Sequence, residues 1–155
     1  MSQKPVFLTH EGLRKLQEEL EYFRTVRRSD VATRIHSAKE EGDVTENAEY
    51  EDAKNEQAFV EGRILTIEQM INSHVLIEEG GPTDRVSLGC KVTVEEDGES
   101  PATFQIVGSA EADPASGRIS NESPLGKALM THRVGDNVKV NTPGGMREVR
   151  IVDLA

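Results

Sequence analysis

The chain has 155 residues, with 18 Lys and Arg against 28 Asp and Glu, a formal net charge of −10 and only 4% aromatic residues. That length accommodates one ordinary domain or two small ones. The acid excess argues against autonomous binding to naked nucleic acid, because phosphate neutralisation needs Lys and Arg. No apolar run reaches the ~18 residues of a transmembrane helix, and MSQKPVFLTH lacks the apolar segment of a signal peptide. One cysteine, Cys90, excludes an intrachain disulfide framework and a Cys-rich zinc site. The four histidines have no ligand spacing, and phosphate-loop, dinucleotide and nucleophile-elbow motifs are absent. The expectation is a soluble cytoplasmic protein with no cofactor of its own and no membrane partner.

From Thr9 to His74 the chain is nearly free of Pro and poor in Gly. Leu13, Leu16, Leu20, Phe23, Val31, Ile35 and Ala38 form one apolar series; Ala53, Gln57, Val60, Ile64, Ile67, Ile71 and His74 form a second. Steps of three and four are heptad-like. The first seam turns polar at Arg27 and Arg28. Thr9 fits the N-cap of the first helix, and Gly42 between the arms permits a chain reversal. Two seams of similar length with a short break predict antiparallel neighbours. Arms of about 30 residues would be roughly 45 Å long, so residues 1–77 are expected to form a coiled-coil hairpin projecting from the rest.

Residues 78–85, containing Gly80-Gly81-Pro82, read as a linker, and 86–155 as a second domain. Short β-rich runs cover Cys90–Val94, Thr103–Val107, Asn137–Asn141 and Arg147–Val152, with period-two alternation. Ser123 and Pro124 fit the cap and first position of a short helix. Pro143-Gly144-Gly145 fits a hairpin turn between the last two strands. The fold class is therefore α+β: a long helical hairpin, then a small antiparallel sheet with one short helix. Cys90 reads as a small strand hydrophobe and Phe104 as core.

The densest polar cluster is Glu40-Glu41-Gly42-Asp43-Val44-Thr45-Glu46-Asn47-Ala48-Glu49-Tyr50, between the two seams. Asp43 and Glu46 are three apart and share a face of a helical first turn. Two readings stand: a capping box with Asp43 at the N-cap, or two exposed carboxylates that share a hard cation such as Mg²⁺. Two carboxylates are too few for a tight site. The second reading requires a metal and phosphates supplied by another molecule. Lys39 and Lys54 flank this segment, either as ordinary helix-surface charges or as groups facing a polyanion. Arg24, Arg27, Arg28 and Arg34 form a basic stripe, read either as a solvated face or as a surface tracking an RNA or protein backbone.

The run from Glu41 to Tyr50 resembles the tip signature of the Gre family of bacterial transcript cleavage factors. The resemblance extends over nearly the whole chain: Thr9-x-Glu11-Gly12-Leu13, Arg27-Arg28, Glu61-Gly62-Arg63-Ile64, Gly108-x-x-Glu111-Ala112-Asp113, Ser123-Pro124-Leu125-Gly126-Lys127 and Thr142-Pro143-Gly144-Gly145. It implies an FKBP-like second domain that docks on RNA polymerase at the rim of the secondary channel, with Ser123 and Pro124 as docking candidates. The coiled-coil tip would enter the channel. Asp43 and Glu46 would there share the second Mg²⁺ of the polymerase site and orient a water, while Lys39 and Lys54 face the RNA. The polymerase itself would hydrolyse the backtracked RNA 3′ segment, so the factor is an activator and not an enzyme.

Two other functions compete with this one. The chain could occupy the polymerase channel without stimulating cleavage. Alternatively, it could be a peptidyl-prolyl isomerase or chaperone, which the FKBP-like fold alone would suggest; fold does not fix function, and the sequence offers no aromatic-lined pocket.

Overall fold

The computed structural model describes residues 4–40, 47–78 and 84–155. These residues form two compact units. One is Leu13–Ser73; the other combines the segment ending at Gly12 with His74–Ala155.

The Leu13–Ser73 unit is the helical hairpin. Its first arm contains α1 (His10–Tyr22), which begins in the other unit, a π-helical turn (Phe23–Arg27) and α2 (Arg28–Glu40). Its second arm is α3 (Ala48–Asn72). The two apolar series meet in one cluster of Leu20, Phe23, Val31, Val60, Ile64 and Ile67, flanked by Leu16, Ile35, Met70 and Ile71. The π turn explains the polar interruption read at Arg27. The seam positions Phe23, Arg27, Val31 and Ile35 are spaced by four residues each. Each such step overshoots an α-helical turn of 3.6 residues, and one wider turn absorbs the accumulated drift. Arg27 is thereby held half-buried in the seam, its guanidinium 5.3 Å from the centroid of the Phe23 ring.

In the second unit, β3 (Lys91–Glu95), β4 (Ala102–Val107), β5 (Arg118–Ser120), β6 (Asn137–Thr142) and β7 (Gly145–Leu154) make a five-stranded sheet in the order β5-β4-β3-β7-β6. The alternation seen in the sequence is its inner face. Val92, Val94, Ile106, Ile119, Val138, Val140, Val149 and Ile151 form a closed core with Val86, Cys90 and Leu129 of α4 (Pro124–Leu129). Thr142 pairs with Gly145 across the expected turn. Cys90 is buried and its thiol is pushed up in pKa by desolvation, which suppresses the reactive thiolate.

Two features depart from the expected architecture. The sheet is mixed, because β5 runs parallel to β4. Two 3₁₀ turns and Gly117, with φ of +81°, return the chain beside β4. Three residues are too few for β5 to show a period. The second departure is at the base of the hairpin. Val6–Leu8 (β1) and His74–Leu76 (β2) pair in parallel, Val6 with His74 and Leu8 with Leu76. Residues up to Gly12 and from His74 onward therefore group with the sheet, whereas the sequence places 1–77 in the hairpin.

A buried polar joint secures this N-terminal segment. Thr9 caps α1 as expected, its hydroxyl accepting from the Gly12 N–H at 3.0 Å. The Glu111 carboxylate accepts from the Thr9 N–H at 2.6 Å, the Thr9 hydroxyl at 2.5 Å and Arg118 Nη2 at 2.5 Å. The Glu111 side chain is 6% exposed. A Cβ at residue 12 would collide with the Glu111 carboxyl carbon, so any larger residue there displaces that carboxylate from the joint. The Thr9–Gly12 and Gly108–Asp113 motifs, about 100 residues apart, are thus two halves of one contact.

Candidate functional site at the hairpin tip

Asp43 and Glu46 lie outside the described residues. α2 ends at Glu40 and α3 begins at Ala48. The N-cap of α3 is Asn47, whose Oδ1 accepts from the Tyr50 N–H at 3.2 Å. Capping of the second arm by Asp43, one of the two readings above, is thereby corrected: an amide four residues further on fills that role. Asn47 Nδ2 also donates to the Ala38 carbonyl at 2.6 Å, across the hairpin.

The two flanking lysines are both exposed. Lys39 Nζ lies 5.8 Å from the centroid of the Tyr50 ring, within cation–π range. Lys54 Nζ donates to Gln57 Oε1 at 3.0 Å.

The arginine stripe proves to be an interhelical ladder. Arg24 bonds Glu68, and Arg28 grips Glu61 through two bonds of 2.8 and 2.9 Å. Arg27 reaches Glu56 at 3.1 Å, and Arg34 reaches the same carboxylate and Glu49, the latter at 3.7 Å. Arg63 returns the pattern from the other arm, with bonds of 2.8 and 3.0 Å to Glu19. The hydrogen bond from Arg28 holds the Glu61 carboxyl below the usual range. All four arginines of the stripe therefore face acids of the opposite arm. Sequence reasoning missed this use because the ladder pairs residues 15 to 44 apart, beyond any local spacing rule.

Ser123 and Pro124 sit at the start of α4. The Ser123 hydroxyl accepts from the Gly126 N–H at 3.1 Å and donates to the Ser120 carbonyl at 2.6 Å, so it caps the helix as expected. Pro124 is exposed. The same unit contains a cavity of about 250 Å³, lined by Val94, Phe104, Leu125, Val140 and Val149 with Glu96, Glu99 and Arg147 at polar positions. Phe104 is its one aromatic; it is half-buried and packs against the core cluster, in line with its reading as core.

Among the described residues, no group of three or more His, Cys, Asp or Glu side chains is placed to hold a metal ion, and no helix is long and apolar enough to cross a membrane. A pair of carboxylates nevertheless matches the usual protein share of a Mg²⁺ site, which is completed by phosphates and water.

Comparison with known proteins places both units in one class. The family model described as "Transcription elongation factor, N-terminal" matches residues 6–75, and that described as "Transcription elongation factor, GreA/GreB, C-term" matches residues 81–155. The chain belongs to the GreA/GreB family of transcription elongation factors. Among its relatives, transcription elongation factor GreA of Thermoanaerobacter pseudethanolicus is 52% identical over 153 residues, covering 97% of this chain and 98% of the relative. GreA of Bacillus subtilis is 49% identical over 158 residues, with both chains fully covered. A solved structure of the transcription factor Gfh1 shares 35% identity at a TM-score of 0.48 and covers 99% of each chain.

Proposed function

We propose that the protein binds bacterial RNA polymerase through its C-terminal unit, inserts the hairpin tip through the secondary channel and stimulates the polymerase's own cleavage of backtracked RNA 3′ ends. Arrested complexes are thereby rescued, and the chemistry belongs to the polymerase. The observation that supports the reading is that the N-cap of α3 is Asn47, so the start of the second arm does not call on Asp43 for its cap. A D-x-x-E pair between two long arms suits a hard-cation site that another molecule completes with phosphates and water.

Asp43 and Glu46 would share a Mg²⁺ of the polymerase active site, which in two-metal hydrolysis assists either the attacking water or the leaving oxygen. The carboxylates orient the water, Lys39 and Lys54 face the RNA backbone, and Ser123 and Pro124 lie on the docking side. The arginine ladder supports this division of labour. With its arginines engaged by its own acids, the hairpin's exposed described cations closest to the tip in sequence are Lys39 and Lys54.

The test is cleavage in stalled, backtracked complexes with native protein and with Asp43→Asn/Glu46→Gln. The expected result is loss of stimulated short 3′ products while competition with native factor for polymerase persists. Cleavage at the native rate would overturn the reading. Binding without stimulation by the native protein would instead identify a channel occupant that does not activate cleavage.

A further inference from the structure

At the base of the tip, one side chain serves both arms. α2 ends at Glu40, so the Ala38 carbonyl belongs to the last turn, whose carbonyls have no intrahelical partner. The Tyr50 N–H belongs to the first turn of α3, whose donors are equally unpartnered within the helix. The Asn47 amide satisfies one of each, donating to Ala38 at 2.6 Å and accepting from Tyr50 at 3.2 Å. Only a primary amide of this length combines both functions. Asp accepts but has no N–H to donate, and Ser caps but is too short to span the arms. The surrounding contacts support close approach at this level. Ala38 and Ala53 are both buried small residues, Arg34 reaches Glu49 at 3.7 Å, and Lys39 lies against Tyr50.

We propose that Asn47 is a positioning residue for polymerase-stimulated cleavage. By bonding both arms at once, it fixes the two chain ends between which the acidic pair is carried. The proposal rests on the cleavage reading above. Glu46 directly precedes Asn47 in the chain, so a displacement of Asn47 is transmitted to it through a single peptide unit. Misplacement by about an ångström costs a reaction up to roughly 100-fold when geometry governs the rate.

Three variants separate positioning from capping. Asn47→Ser keeps an N-cap acceptor, adds no charge and loses the bond to Ala38. Asn47→Asp keeps the acceptor and loses the donor. Asn47→Ala loses both. In full-length protein at saturating concentration on backtracked polymerase, all three should lower the maximal cleavage rate by about 10- to 100-fold. The concentration giving half-saturation should stay unchanged, and Asn47→Ser should retain native thermal stability. Native cleavage by Asn47→Ser beside a defective Asn47→Ala would reduce the residue to a cap and overturn the inference. So would a change confined to half-saturation. Asp43→Asn/Glu46→Gln is run in parallel: if it cleaves normally, the cleavage reading fails and takes this inference with it. If it is inactive while Asn47→Ser is native, the inference alone falls.

Discussion

The two units solve the same problem by different means. The sheet unit closes its apolar side chains into a core, with Val92, Ile106, Leu129 and Ile151 wholly removed from water. The hairpin has a single seam, and much of what joins its arms is charge at the seam's edge. The hydrophobic clusters share no residue. In the sheet unit, backbone pairing fixes register and a one-residue slip would turn the inner face outward. Among the described residues of the hairpin no backbone ladder links the arms, so side chains set the register. The Arg–Glu pairs and the Asn47 amide serve that purpose more than they add stability, since exposed ion pairs contribute little. The sheet unit also holds a nearly buried ion pair, Glu111 with Arg118, the kind of contact whose disruption is costly.

The largest expected effect tests that asymmetry between ion pairs. Glu111→Ala strands the Arg118 guanidinium and removes the acceptor of the Thr9 N–H. It should cost roughly 3–5 kcal/mol in urea unfolding. Glu111→Leu combined with Arg118→Met should recover the part that comes from the stranded charge, while the unpaired Thr9 donors keep the remainder. A loss below 1 kcal/mol would mean that the joint behaves like the exposed ladder and that the contrast is wrong.

Next come matched truncations of two fully buried residues, Leu129→Ala in the sheet unit and Ile67→Ala in the hairpin. Each should cost about 2–5 kcal/mol, with Ile67→Ala at the lower end because a thin seam collapses more readily around a cavity. Amide hydrogen exchange should show Leu129→Ala weakening β3 and β7, and Ile67→Ala weakening α2 and α3. Equal loss of protection everywhere in both variants would show that the units unfold as one.

The smallest effect concerns the ladder. Arg27→Gln should destabilise by less than about 1 kcal/mol at low salt and by still less at 1 M salt. Acid should act on the neighbouring rung in a defined direction. The Glu61 carboxyl is depressed in the folded state by Arg28. Its contribution is therefore complete above the unfolded glutamate pKa of about 4.3, and is lost as pH falls through the lower folded value. A pH titration of thermal stability for native protein and Glu61→Gln should converge below that range. Curves that remain parallel through it would remove the rung from the account.

Much of the fold was legible because it follows local rules. The apolar series from Leu20 to Ala38 and from Ala53 to Ile67 are the seam, and the Val138/Val140 and Val149/Ile151 alternation is the inner sheet face. Thr9 and Ser123 are caps, each with its side chain on the expected N–H. At the tip, sequence identified the segment but offered Asp43 as the cap of the second arm. Asp and Asn are comparable N-cap residues, and nothing local distinguishes Asp43 from Asn47. Asn47 also bonds the Ala38 carbonyl, and that bond depends on where the other arm lies. The ladder was illegible for the same reason: Arg24, Arg27, Arg28 and Arg34 cluster in sequence as a basic stripe, while their partners are spread from Glu49 to Glu68.

The sequence by itself determined the helical periods, the strand alternation, the turn positions and the acidic segment between the arms, because side-chain direction repeats every 3.6 residues in a helix and every two in a strand. Tertiary structure alone decided the parallel pairing of β1 with β2 and of β4 with β5, the Thr9–Glu111–Arg118 joint, the neutralisation of the arginine stripe and the capping of α3 by Asn47. Except for the cap bond, which is local, each of these is a contact between groups that no periodicity connects. The same Asn47 amide makes a second bond, to the Ala38 carbonyl of the opposite arm, and such partners become available only once chain folding has brought them within hydrogen-bonding distance.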